Sequence, residues 1–317
     1  MKKWLLGLAL FCLFCLAGCE KNEEKTIKIG VLRTADSVPL YVAEEDELFE
    51  KYGVRVDLIE FSSASDQSKA IEAGAVDGLM TELILQCLLK KGGCNLKSVI
   101  VALGGEASDG QVMVVAAENS PFADAETIEG ARVAIAEGTL MEFLLDSYCE
   151  ELGLNLNSIK KVSIPSLSLR LEMLIEGNDI DCAVLPEPLA QYAVLQGGKA
   201  KIDDTKLDAT LSLSVIALSD QFIEKNPDMV SKFVKACTEA AEHLNKEPER
   251  YKDLVLNVAN VPEAMKDNYK IPYYSEGILP EKELVDRVEN WMLKKGLLNN
   301  LFSYEELIDD SFVKSAE

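Results

Sequence analysis

A single histidine, His243, occurs in 317 residues, and that scarcity argues against the designs built on imidazole: a Ser-His-Asp triad, a histidine general base, a His-rich metal centre. Basic residues are also short. Lys and Arg number 32 against 54 Asp and Glu, a formal net charge of −22 with a sequence pI near 4.5. A polyanion of this kind is repelled by phosphate backbones and anionic headgroups, which sets nucleic acid aside as a partner. The N-terminal apolar run, Trp4 to Leu16, has 13 residues where a bilayer helix needs about 20. What the chain has is core. With 48% apolar and 27% charged residues it buries a sizeable interior, so disordered and fibrous classes are excluded, and its length corresponds to about two domains.

Lys2 and Lys3 ahead of that short run mark a secretory leader and not a membrane anchor. The run ends in Leu16-Ala17-Gly18-Cys19, which resembles the bacterial lipobox. The resemblance implies cleavage before Cys19 and lipid on its sulfur, so residues 1–18 read as signal peptide and 19–25 as a lipidated, solvated tether. Loss of Lys2 and Lys3 takes the net charge from −22 to −24. Of eight cysteines, Cys87, Cys94, Cys149, Cys182 and Cys237 then remain, an odd number that cannot pair fully within one chain. Cys237 shares a helical stripe with Val230, Phe233, Val234, Ala241 and Leu244, and Cys182 sits in the run Ile180 to Leu185. Both read as small buried hydrophobes without the basic surroundings a reactive thiol needs. Cys87 and Cys94 flank Lys90-Lys91-Gly92-Gly93, where a reversal could bring them together, but sequence alone does not place their Cβ atoms.

From Thr26 onward strand and helix periods alternate. A strand Thr26 to Leu32, a helix with Pro39 in its first turn and Gly53 at its end, a strand Val54 to Phe61, a helix to Gly74 and a strand Val76 to Met80 make βαβαβ. The pattern repeats from Arg132: strand to Glu137, helix Thr139 to Gly153, strand Lys161 to Pro165, helix Ser168 to Glu176, strand Ile180 to Leu185. A strand-like stretch Ser212 to Leu218 and a helical tail follow. The expected fold class is α/β: two lobes of mostly parallel sheet, joined by crossovers near Val115 and near Ser212, with a helical C-terminal region. Lobe 1 is then 26–116 plus 212–317, lobe 2 is 117–211, and the cleft between them is the default ligand site.

The stretch Pro39 to Val56, PLYVAEEDELFEKYGVRV, and Ala73-Gly74-Ala75-Val76-Asp77-Gly78 resemble the opening signature of ABC-transporter solute-binding proteins of the NMT1-like group, which includes nitrate, sulfonate, taurine and thiamine-pyrimidine receptors. Val133 to Thr139 (VAIAEGT) and Asp179 to Pro188 (DIDCAVLPEP) match the group's second-lobe pattern. The resemblance implies a clamp of the type II periplasmic-binding-protein kind, a small-molecule ligand, ABC permease subunits as partners, no cofactor or metal, a monomer, and an extracytoplasmic, lipid-anchored location. Three positions depart from the pattern: Glu47 replaces a usual glycine, Glu82 a frequent aspartate, and Leu185 a frequent tryptophan before the Glu-Pro pair. The last weakens any expectation that a flat aromatic ligand stacks there.

Ser37-Val38-Pro39, Thr81-Glu82 and Gly138-Thr139 each stand where a strand ends and a helix begins, so free N–H groups and the positive helix end suit a carboxylate or sulfonate. Each set also reads as ordinary helix capping. Thr34 lies in the same first loop. Glu187, after Pro186, either receives an amino group from a ligand or caps the helix after Pro188, and Glu82 carries the same pair of readings. Tyr41, Tyr192, Tyr273 and Tyr274 either line the cleft or cover lobe surface. His243 reads as surface, and the acidic run Glu44 to Glu47 as a solvated helix face. The expected function is capture of a small solute, an amino-bearing anion such as an aminosulfonate, for an ABC importer, with no reaction. A thiamine-precursor pyrimidine receptor, an enzyme on the same scaffold and a sensor read by a membrane kinase are the alternatives.

One acyl chain gives only marginal membrane binding, so retention requires the several chains a bacterial lipoprotein carries. Cys19→Ser should release the protein or leave it uncleaved. Identical soluble fractionation of wild type and variant would remove the lipid anchor.

Overall fold

The computed structural model describes residues 25–106, 109, 112–177, 179–209 and 211–313. The leader, Cys19 and all of the tether but Lys25 lie outside the described residues. The first lobe opens with β1 (Thr26–Val31), α1 (Val38–Glu45), α2 (Leu48–Tyr52), β2 (Arg55–Glu60), α3 (Ala64–Glu72), β3 (Gly78–Thr81), α4 (Leu83–Lys91) and β4 (Leu96–Leu103). The chain then builds β5 (Val112–Ala116), β6 (Arg132–Ile135), α5 (Leu140–Glu151), β7 (Lys160–Ser163), α6 (Leu167–Glu176), β8 (Cys182–Pro186), α7 (Leu189–Leu195) and β9 (Lys199–Asp203). It returns as β10 (Ser214–Ser219), α8 (Asp220–Lys225), α9 (Pro227–Lys246), α10 (Lys252–Val258), α11 (Lys282–Lys294) and α12 (Tyr304–Leu307).

Two five-stranded sheets result, ordered β2-β1-β3-β10-β4 and β7-β6-β8-β5-β9. In each, three strands run parallel, as the βαβαβ reading requires, and a fourth lies antiparallel between the third and fifth. That fourth strand is β10 in the first sheet and β5 in the second, so each lobe receives a strand just after the chain has crossed from the other. The first crossover therefore falls between the end of β4 at Leu103 and the start of β5 at Val112, and not at Val115, which pairs with Ala183 inside the second sheet. The lobe boundary expected after residue 116 moves accordingly. The sequence reading also missed β4, β5 and β9. All three are short or apolar runs without a paired helix period to frame them.

The elements follow from local chemistry. Ser63 accepts from the Asp66 N–H and starts α3; Ser166 does the same for α6 through Leu169. On α9, Val230, Phe233, Val234, Cys237, Ala240, Ala241 and Leu244 form the buried stripe, and Phe233 stacks on Phe49 of α2 at 5.9 Å. The cysteines are free thiols, Cys87 and Cys94 included. Burial pushes Cys149 up to about 11 and Cys182 to about 12, which keeps them un-ionised.

Two expectations about surface groups fail. His243 Nδ1 lies 2.6 Å from Asp46 Oδ2, and Asp46, with a side chain only 6% exposed, also accepts from Tyr251 and Arg250. Instead of facing solvent, this part of the acidic run joins α1 to the C-terminal helices. The tail, assigned whole to lobe 1, also reaches across. Trp291 of α11 packs edge-on against Phe143 of α5, its indole N–H donates to Asp146, and Arg287 pairs with Glu150 and Glu151, while the same helix packs on α4.

The single helix expected from Pro39 to Gly53 is broken at Glu47, which adopts φ 55° and ψ 29°. A left-handed conformation costs an L-residue about 1–2 kcal/mol, which accounts physically for glycine at this position in the resembling group. Against glycine's entropic cost of about 0.5–1 kcal/mol, Glu47→Gly should raise stability by about 0.5 kcal/mol. Urea denaturation measures it, and a loss of stability would show that the Glu47 side chain contributes more than its backbone costs.

Candidate functional site

Side chains buried inside each lobe fix the strand ends that face the other lobe. In lobe 1, Gln67 Nε2 donates to the carbonyls of Gly30 and Met80, tying β1 to β3. In lobe 2, Arg170 is fully buried and gives its three hydrogen bonds to the carbonyls of Ile164 and Val184, beyond β7 and on β8. Burial lowers its pKa to about 10. The loops held in place this way enclose a cleft of about 490 Å³ between the lobes.

Thr34, Pro186 and Glu187 line that cleft as the sequence suggested. The other candidates do not. Ser37, Val38 and Pro39 are buried, and the Ser37 hydroxyl donates to the Leu32 carbonyl at 2.7 Å. Glu82 turns its carboxylate onto the start of its own helix, accepting from Ile84 N at 2.6 Å and Leu85 N at 2.9 Å. Thr81 is buried with its hydroxyl unpartnered, off the cleft wall. Thr139 caps α5 through Met141 N, and the Gly138 N–H, at φ 71°, is taken by Glu142 Oε2 at 2.8 Å. The positive ends of α4 and α5 are thus answered by carboxylates of the chain itself, which removes the anion site expected there. Of the tyrosines, Tyr41 bonds Glu60, Tyr274 is fully buried with its hydroxyl on the Ala35 carbonyl, and Tyr192 packs on the lobe 1 core.

These carboxylates differ in charge. Burial opposes ionisation of Glu142, but the Gly138 N–H and the ammoniums of Lys161 and Lys295 hold it down at about 2. Glu82 has only two amide N–H groups against a stronger burial, which pushes it up to about 7. Glu187 is raised to about 7 in the same way. One of its oxygens meets Gln191 N at 3.3 Å, a long capping contact, while Oε1 is buried with no partner. The capping reading of Glu187 is met on one oxygen, and the other is left without a partner.

Three cleft residues escaped the sequence reading. Arg33 holds Asn257 with Nη2 at 2.9 Å and faces Glu60 at 3.8 Å, but its Nε is buried and unpartnered. Asp36 Oδ1 and Ser214 Oγ are also buried with no well-formed hydrogen bond; burial raises the Asp36 carboxyl, and the neighbouring Thr34 and Ser214 hydroxyls oppose that rise. Arg33 and Asp36 sit in the loop after β1, where charged residues at a strand's carboxyl end were signal enough; Ser214 is reached only through the crossover. Together these atoms present a donor, a hydroxyl and two acid oxygens to whatever fills the cleft. An unanswered buried polar group is costly, about 1–3 kcal/mol, and a ligand that answers it recovers that cost.

A carboxyl whose folded pKa lies above its unfolded value binds its proton more tightly in the native state, so its ionisation destabilises the fold as pH rises from about 4.5 to about 7. Glu187→Gln should raise Tm at pH 8 and leave it nearly unchanged at pH 4.5. An equal shift at both values would show that Glu187 is not a buried, raised acid.

A protein of Brachyspira hyodysenteriae named as an ABC transporter periplasmic binding protein is 24% identical over 78% of this chain and 75% of its own length. One of Bacillus subtilis named as an aliphatic sulfonates-binding protein is 22% identical over 100% of this chain and 97% of its own. A Schizosaccharomyces pombe enzyme, 4-amino-5-hydroxymethyl-2-methylpyrimidine phosphate synthase, is 22% identical over 69% of this chain and 65% of its own. The crystal structure of the periplasmic aliphatic sulphonate binding protein SsuA from Escherichia coli superposes with a TM-score of 0.75 at 18% identity, covering 90% of this chain and 92% of that one, so the two share a fold. The NMT1-like family pattern matches residues 20–258, and this two-lobed chain belongs to the NMT1-like family.

Proposed function

We propose that the chain is the solute-binding receptor of an ABC importer and that its ligand is a small amino-bearing organic anion of the sulfonate type, bound by lobe closure and handed on unchanged. The observation that carries this reading is the pairing, in one cleft, of Arg33 Nε and Glu187 Oε1, both buried and both without partners. An anionic group answers the guanidinium and an ammonium answers the carboxylate, so a zwitterion leaves neither charge uncompensated. The arginine replaces the helix ends on which the sequence reading had placed the anion. The relatives named for ABC transport and aliphatic sulfonates support the same class. The lipobox-like Leu16-Ala17-Gly18-Cys19 supports a tether to the outer face of a bacterial membrane, and the receptor so held is proposed to act as a monomer beside its permease.

The second reading, an aminopyrimidine, is favoured by the two acids Asp36 and Glu187 and by the yeast relative. It offers Arg33 Nε a neutral ring-nitrogen acceptor in place of an anion. Catalysis on this scaffold would need a poised nucleophile or base: the described thiols are held un-ionised by burial, which leaves the raised acids Asp36 and Glu187 as the cleft groups such chemistry would use.

A ligand that binds only the folded protein stabilises it by RT ln(1 + [L]/Kd), about 2.7 kcal/mol at a hundredfold excess over Kd. In a thermal-shift screen, taurine-like zwitterions should raise Tm above alkanesulfonates, nitrate and aminopyrimidines. Arg33→Met should abolish the response, and Glu187→Gln should erase the preference for the amino group while keeping simple sulfonates. A response to aminopyrimidines alone would overturn the anion half of the proposal.

A further inference from the structure

Glu187 stands in the wall of two cavities. The first is the cleft with Arg33; the second, of about 390 Å³, lies between β5 and α7 of lobe 2 and the lobe 1 segment that follows α10. Met113, Ile271 and Pro272 give the second cavity apolar wall, and Tyr269 faces it with a ring 7% exposed and a hydroxyl that is buried and unpartnered. Tyr269 comes from lobe 1 and Glu187 from lobe 2, so closing the clamp brings their unanswered oxygens toward one space. A buried phenol normally finds a partner, and none of the described side chains supplies it here.

We propose that this second cavity is an annex of the binding site and that the ligand is a substituted aminoalkanesulfonate whose nitrogen sits at Glu187, with the sulfonate arm reaching Arg33 and a short hydroxyl-bearing arm reaching Tyr269. The inference rests on the amino-anion reading above and narrows it. A protonated secondary amine keeps the N–H groups that Glu187 Oε1 requires while carrying carbon chains in two directions, which a primary amine does not. In a wall otherwise polar, with Asp203, Thr205 and Lys270 on it, Met113, Ile271 and Pro272 are the surface that meets the carbon of the second arm, and the Tyr269 hydroxyl selects for a hydroxyl at its end.

Calorimetric titration of the mature protein with taurine, N-propyltaurine and N-(2-hydroxyethyl)taurine tests the assignment. Both substituted compounds should bind at least fivefold tighter than taurine, with the hydroxyethyl compound about fivefold ahead of the propyl one. Tyr269→Phe should make those two equal, and Thr205→Trp, which fills the annex from its rim, should shrink the lead of both over taurine. Taurine binding as tightly as the substituted compounds would close the annex while leaving the receptor reading intact. If the hydroxyethyl preference persists in Tyr269→Phe, the Tyr269 contact is wrong. If none of the three binds, the aminosulfonate reading fails and the annex with it.

Discussion

Neither sheet is complete without a strand delivered from the other side of the molecule. β10 lies between β3 and β4, and β5 between β8 and β9, each hydrogen-bonded on both edges and almost wholly buried. A central strand that arrives only after the chain has left and returned makes the two lobes interdependent in folding, because lobe 1 keeps two open edges until residue 219 is made. It also fixes where the lobes can hinge, since Gly104, where the chain leaves the first lobe, lies against Ser212 and Leu213, where it returns. The position of the cleft is a consequence of this exchange.

A second regularity is electrostatic. A doubly wound sheet points several helix starts at its ligand cleft, and each is a ready anion site. Here Glu82 and Glu142 fold back onto two of those starts, and α1 carries Pro39, which has no N–H to offer. In a chain of net charge −22 these internal carboxylates consume the fixed positive potential that would otherwise attract external anions without discrimination. The selective groups left in the cleft are side chains, Arg33, Asp36, Ser214 and Glu187. Recognition by side chains reads the separation of charges in a ligand, where a bare helix end reads only sign.

The alternating periods of the sequence made the parallel strands and their helices legible, because amphipathic helices framed each strand and capping residues such as Ser63 and Gly53 marked their ends. Of the two antiparallel strands, β10 was legible as a strand-like stretch and β5 was not. Leu96–Leu103, Val112–Ala116 and Lys199–Asp203 were missed: no strand of the alternating βα pattern follows them through a helix, and their partners are distant in sequence. Thr34, Pro186 and Glu187 were found from motif position. The helix-start residues stand at strand ends as expected, but their N–H groups are taken by carboxylates of the chain: Glu82 as the cap of its own helix and Glu142 from the third position of α5. Ser214 was out of reach: its place in the cleft depends on the exchange of strands, which no local pattern encodes.

The C-terminal helix α11 rests on α4 and α5, and its Trp291 is the only tryptophan among the described residues, the other being Trp4 in the leader. Its indole is 9% exposed, pressed on Phe143, with the N–H held by the Asp146 carboxylate beside Lys295. Indole emission depends on polarity and on nearby charge, so among the described residues one indole reports, from the place where the tail meets the second lobe. Any motion that separates tail from lobe wets that ring and moves its anion, and the light it emits registers the swing without a label in the cleft.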